Sequence, residues 1–96
     1  MSRTPENPDV SCYVQLLALF TSDLMPIGNY EKRYLEMFKA EESIFPEAIY
    51  ELLNNLFIDI DVYEPDETMR LDHEIGLDEL RANARAALKK LQSIAR

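Results

Sequence analysis

Positive charge is scarce in this chain. Ten Lys and Arg face eighteen Asp and Glu, so the net charge is −8 at pH 7. Nucleic acid and anionic membrane surfaces are bound through basic patches, and this balance argues against both as direct ligands. Cysteine is almost absent: Cys12 stands alone, which excludes an intramolecular disulfide and suits a reducing, cytoplasmic setting. Long apolar runs are missing as well. The longest, Leu16 to Phe20, has five residues, against the roughly 18 that a membrane span needs. The polar start, Met1 to Asp9, carries two prolines and does not read as a signal peptide. Histidine occurs once, as His73. No glycine-rich phosphate loop, Cys/His metal set or serine nucleophile elbow is present.

Glycine is also rare, at two in 96 residues, and the five prolines fall between periodic segments. Long helical periodicity with few breakers predicts an all-α protein. At 96 residues and 47% hydrophobic side chains, one domain with a modest core is expected, residues 1–7 being flexible. The first helix is expected near Pro8, with Asn7 as its cap. Its apolar stripe is Val10, Tyr13, Val14, Leu17 and Phe20, broken by Met25-Pro26-Ile27-Gly28. Asn29 is expected to cap a second helix over Tyr30 to Glu41. Ser43 to Pro46 forms the next break, with Pro46 in the first turn of a third helix. There Ile49, Leu52, Leu53, Leu56, Phe57 and Ile60 form the cleanest stripe, ending before Pro65. The last helix runs from Leu77 to Ala95, with Asp78 and Glu79 at its start and Lys89, Lys90 and Arg96 towards its end, as the helix dipole favours. Four amphipathic helices with mostly short connections predict an antiparallel four-helix bundle.

Half of the acidic side chains lie in one stretch: Asp59, Asp61, Glu64, Asp66, Glu67, Asp72, Glu74, Asp78 and Glu79, with Arg70 the single base among them. Such a field repels itself, and it steers and registers a cationic partner. Solubility alone would explain an evenly spread surface. Asp59 and Asp61, however, stand where the third helix ends and its dipole disfavours carboxylates. Glu64, Asp66 and Glu67 then crowd around a rigid proline. Capping of the last helix accounts for Asp78 and Glu79. Tyr63 lies inside the cluster, and tyrosine is a frequent interface anchor. The other aromatics, Tyr13, Tyr30, Tyr34, Phe38, Tyr50 and Phe57, have core spacing.

Catalytic readings fare poorly. Cys12 with His73 as base has no local motif, and a helical cysteine between apolar neighbours reads as a small buried hydrophobe. His73 reads as a solvated loop residue or a pH-sensitive contact. A calcium loop counted from Asp59 places Glu64 at the turn glycine and Arg70 at the bidentate Glu, so the spacing fails. The chain therefore reads as a binding module without enzyme activity, metal, cofactor or small-molecule ligand.

Asp61-Val62-Tyr63-Glu64-Pro65-Asp66 resembles the acidic-x-aromatic-Glu-Pro-Asp stretch of the colicin D immunity family of bacterial self-protection proteins. "LLALF" resembles that family's first helix, "YEKRYLEMFK" its second and "DELRANARAALKKL" its last, over Val14 to Leu91. The resemblance implies an immunity protein that covers the active site of a basic nuclease toxin, a tRNase, with an acidic surface that mimics RNA. Related toxins occur in contact-dependent growth inhibition systems. Carried over by position, Asp61, Glu64 and Asp66 would meet toxin Lys, Arg or His. Asp59, Glu67, Asp72 and Glu74 join them on charge alone. Thr68 to Ile75 departs most from the family pattern and suits discrimination between toxins. The alternative is an acidic helical adaptor, or antitoxin-like regulatory module, for a different basic protein.

Overall fold

Val10 is the last non-helical residue before the first helix, and its carbonyl accepts the Val14 N–H at 3.0 Å. In the computed structural model, residues 10–42 and 44–94 are described. They form α1 (Ser11–Thr21), α2 (Ile27–Ala40), α3 (Glu47–Asp61), a short 3-10 turn (Glu67–Met69) and α4 (Leu77–Ile94). Asn7, Pro8, Ser43, Ala95 and Arg96 lie outside the described residues, as does the flexibility expected of residues 1–7. The chain is all-α, an antiparallel four-helix bundle.

The helix boundaries correct several expectations. α1 starts at Ser11 rather than near Pro8. It ends well before the Met25–Gly28 segment, because Asp23 adopts a left-handed conformation (φ 62°). The Leu24 N–H then reaches the Leu19 carbonyl at 2.9 Å and the Asp23 N–H reaches Phe20 at 3.2 Å. This is a Schellman ending with aspartate in the place glycine usually takes. α2 begins three residues earlier than expected, at Ile27, with no side-chain cap, so Asn29 lies inside the helix. Pro26 is extended, and its carbonyl accepts the Tyr30 N–H at 3.0 Å. Pro46 repeats the arrangement one residue ahead of α3, where its carbonyl takes the Tyr50 N–H at 2.9 Å. Both prolines stand at the cap position, not in the first turn. Their fixed φ and missing N–H make the carbonyl the useful group there. α4 follows expectation, with Asp78 and Glu79 in its first turn; Lys89 and Lys90 fall just short of the last one.

α1 packs on α2 and α4, and α3 packs on the same two, so the four helices close a ring around one core. The core takes Tyr13, Leu16, Leu17 and Phe20 from α1, Tyr30 and Tyr34 from α2, Ile49, Leu53, Leu56 and Ile60 from α3, and Leu80, Ala84, Ala87 and Leu91 from α4. These are the positions that a 3.6-residue period selects. Two residues depart from their expected roles. Cys12 is exposed on α1, at the edge of the buried stripe, so it is not a core residue. Tyr50 is 51% exposed, with its ring stacked on Phe38 at a centroid distance of 6.3 Å.

Two buried tyrosines make opposite predictions. The Tyr34 hydroxyl donates to the Leu53 carbonyl at 2.6 Å, and burial raises its pKa. The Tyr30 hydroxyl is buried with no partner among the described residues. Tyr34→Phe is expected to cost about 1 kcal/mol, whereas Tyr30→Phe is neutral or stabilising by up to about 1 kcal/mol, because a buried unmade hydrogen bond is the costlier state. Urea denaturation of the two variants checks both signs.

Candidate binding surface

Where α3 ends, the chain enters a closed loop over residues 62–76. Its two ends are sewn together: the Glu64 N–H donates to the Ile75 carbonyl at 2.9 Å, and the Ile75 N–H donates to the Val62 carbonyl at 3.0 Å. Tyr63 and Ile75 pack against the core from this junction, which roots the loop on the bundle. Tyr63 is half-buried at the base rather than projecting from the surface. Partial burial, then Glu31, raises the pKa of its phenol; Arg70 opposes the shift and Glu64 adds to it.

Three carboxylates of the loop, those of Glu64, Asp66 and Glu74, are tied to its backbone. Asp66 Oδ1 accepts the Thr68 hydroxyl at 2.8 Å and the Thr68 N–H at 3.0 Å, which caps the 3-10 turn. Those two bonds, hydroxyl first, hold the Asp66 carboxyl below the usual aspartate range. Glu64 Oε2 accepts the Asp66 N–H at 3.1 Å, and Glu74 Oε1 accepts the Leu71 N–H at 2.8 Å. A carboxylate has about four acceptor sites, so each of these groups keeps capacity for a partner while its position is fixed.

Arg70 is tied to the base of the loop. Its Nε donates to the Glu64 carbonyl at 3.2 Å. Its guanidinium lies against Gly76, where an added Cβ would stand 2.6 Å from Nη2. Gly76 thus lets the guanidinium lie close, and a Cβ there would displace the end of the Arg70 side chain; the backbone conformation itself is ordinary. The single base of the tract is consumed by the scaffold.

Tyr63, Glu64, Asp66, Glu67, Asp72 and Glu74 all lie on the loop, with Asp66, Glu67 and Asp72 exposed. Asp61 is exposed on the last turn of α3 beside it. Asp59 stands apart, half-buried in the groove between α3 and α4 with Leu56, Asn83 and Lys90. Asp78 and Glu79, assigned to capping from sequence, also line a recess with Pro65, Glu67, Arg70 and Gly76. The sequence reading missed Met69 and Leu71, which are 67% and 59% exposed in the middle of the loop. Nothing in the sequence marked them, because their exposure follows from a 3-10 turn and an Arg70 bond that no periodicity encodes. His73 is exposed in the adjacent turn. Among the described residues no group of three His, Cys, Asp or Glu could hold a metal ion, and no helix is long and apolar enough to cross a membrane.

Burial raises the Asp59 pKa; a hydrogen bond from Asn83 opposes this and Glu79 reinforces it. An acid whose folded pKa is raised favours folding most while it is protonated. That advantage is lost as pH rises from the usual aspartate range through the folded value. Asp59→Asn, which stays neutral and can still bond Asn83, is expected to raise the urea midpoint at pH 7. The two proteins should converge below about pH 4, where the aspartate is protonated in both states. An equal or lower midpoint at pH 7 would mean that the groove solvates the charge well.

No curated protein and no solved structure matches the chain. The sequence profile of bacterial self-protective colicin-like immunity proteins matches residues 9–91. That span takes in α1 to α3, the whole acidic loop and α4 as far as Leu91. The chain therefore belongs to the bacterial self-protective colicin-like immunity family, whose members bind a cognate toxin rather than catalyse a reaction.

Proposed function

We propose that this immunity protein neutralises a basic nuclease toxin, a tRNase, by laying the 62–76 loop and the end of α3 across the toxin's cationic cleft. The observation that carries the reading is the loop's one-sided charge on a fixed backbone. Glu64, Asp66 and Glu74 are pinned by hydrogen bonds to backbone N–H groups, and Arg70 is turned onto the Glu64 carbonyl and Gly76. A nuclease cleft holds phosphates with Lys and Arg, and carboxylates on a rigid frame occupy such positions without the ordering cost of a flexible strand. Asp61, Glu64 and Asp66 are the groups that meet toxin cations directly. Glu67, Asp72 and Glu74 steer the approach and discriminate between toxins. Tyr63 supports the surface from its base, and Asp59 adds to the field from the α3–α4 groove. The compartment is the cytoplasm, where tRNA is, and the toxin is of the kind that contact-dependent inhibition systems deliver.

The test is a titration of the purified protein into the tRNA-cleavage reaction of the toxin domain encoded by the neighbouring gene. Complete inhibition at equimolar protein is expected. The association rate should fall by about tenfold or more as salt is raised, because opposite charges steer the encounter. A toxin that stays bound while still cutting tRNA, or one that acts on no RNA, would overturn the reading.

A further inference from the structure

Met69 and Leu71 have no role in holding the fold. They are 67% and 59% exposed, in a protein whose four helices each send an apolar face into the core. Met69 closes the 3-10 turn and Leu71 follows Arg70, whose side chain is tied to the Glu64 carbonyl between the two exposed apolar groups. The turn that carries them is held on both sides, by the Asp66–Thr68 bonds before it and the Glu74–Leu71 bond after it. A rigidly presented apolar pair loses little freedom on being buried.

We propose that Met69 and Leu71 are the apolar anchor of the complex, entering a pocket on the toxin whose rim carries Lys and Arg. The proposal rests on the toxin-binding reading above and adds what that reading lacks, a non-electrostatic source of affinity. The occupant follows from charge. Glu67, Asp72 and Glu74 flank the pair in sequence, so a neutral groove or an anionic lipid surface would meet uncompensated carboxylates. A second copy of this chain would bring the same carboxylates face to face across a two-fold axis. A cationic rim around an apolar socket satisfies both components. Interfaces of this kind take most of their affinity from a few desolvated central side chains, while rim charges mainly set the encounter rate. Methionine also adapts its shape to irregular pockets.

The experiment uses the full chain and the neighbouring gene's toxin domain, inactivated by substitution in its own active site, with rates measured across a salt series. Met69→Ser/Leu71→Ser is compared with Glu67→Gln/Asp72→Asn. The serine variant is expected to lose about a hundredfold in affinity, nearly all in the dissociation rate, with the salt dependence of wild type. Its thermal midpoint should be unchanged, since both side chains are exposed in the free protein. The charge variant is expected to associate more slowly and with a weaker salt dependence. If the serine variant binds within about threefold of wild type while the charge variant is weakened, the anchor is wrong and the toxin-binding surface stands. If both variants bind as wild type, the surface itself is wrong. A serine variant that loses association rate and salt dependence instead would show that the pair acts on the electrostatics, which also overturns the anchor.

Discussion

Asp61→Lys is expected to stabilise the free protein slightly while abolishing protection against the toxin. The two effects have separate physical sources. Asp61 is the last helical residue of α3, exposed, at a helix end with no basic residue in its final turn. A carboxylate there faces the partial negative charge of the unpaired carbonyls, and a lysine in its place is favoured by about 0.3–1 kcal/mol. No internal hydrogen bond or ion pair of the Asp61 carboxylate stands in the way among the described residues. In the complex the same change sets a cation against toxin Lys or Arg. Coupling energies for close charge pairs across an interface run from about 1.5 to 7 kcal/mol, so reversal should weaken binding by at least about a hundredfold. Urea midpoints and growth protection measured on the same variant check the opposed signs. Protection at wild-type strength would remove Asp61 from the interface. Asp66→Lys is a poorer probe, because it also removes the acceptor of both Thr68 bonds and so uncaps the 3-10 turn. Of the two aspartates proposed to meet the toxin, the one without a structural duty is the more informative to reverse.

The bundle was legible because burial in a helix follows a simple period. Ile49, Leu53, Leu56 and Ile60 on α3 are core residues in the structure and on the predicted face, and Leu80, Ala84, Ala87 and Leu91 on α4 follow the same period. The misread boundaries share one cause, that a helix start is set by backbone carbonyls as much as by capping side chains. Pro26 and Pro46 offer a carbonyl in extended geometry and so open α2 and α3 where Asn29 and an inside proline were expected. Local periodicity also fails for residues at the edge of a stripe. Cys12 and Tyr50 each sit among apolar neighbours, yet lie just outside the ring that the four helices close. In the acidic loop the sequence shows charge but not its direction. A run of carboxylates with one arginine gives no indication that the arginine is spent on the Glu64 carbonyl, or that Asp66 and Glu74 are spent on backbone N–H groups. Those bonds turn a self-repelling stretch into an ordered surface, and they depend on contacts up to six residues apart that no periodicity encodes.

Phe20→Ala is expected to have the largest effect on the free protein. The Phe20 ring is fully buried and lies parallel to Tyr30, with centroids 4.1 Å apart and planes 5° from each other. On its other side the Arg81 guanidinium stands 5.4 Å from the ring centroid, and Arg81 in turn pairs with Asp23 at 2.9 Å. One side chain thus joins the last turn of α1 to the first turns of α2 and α4. Truncation removes the transfer free energy of the ring and leaves a cavity between three helices that cannot close without shifting all of them. Such changes cost about 3–5 kcal/mol, with the ring–ring and cation–π contacts within that figure. A domain of this size has roughly 5–14 kcal/mol in total, so the variant should be folded but marginal. Its thermal midpoint should fall by at least about 12 °C, with an unchanged urea m-value if the native surface is preserved. Phe20→Leu, which refills part of the cavity, should recover more than half of the loss. The consequence reaches the binding surface, because the acidic loop hangs between the end of α3 and the start of α4, and α4 is held to α1 at this junction through Arg81 and through the Arg85 guanidinium on the Thr21 carbonyl at 3.3 Å. A loss below about 1 kcal/mol in Phe20→Ala would place the anchor of α4 elsewhere, and would leave the position of the loop without its main mechanical support.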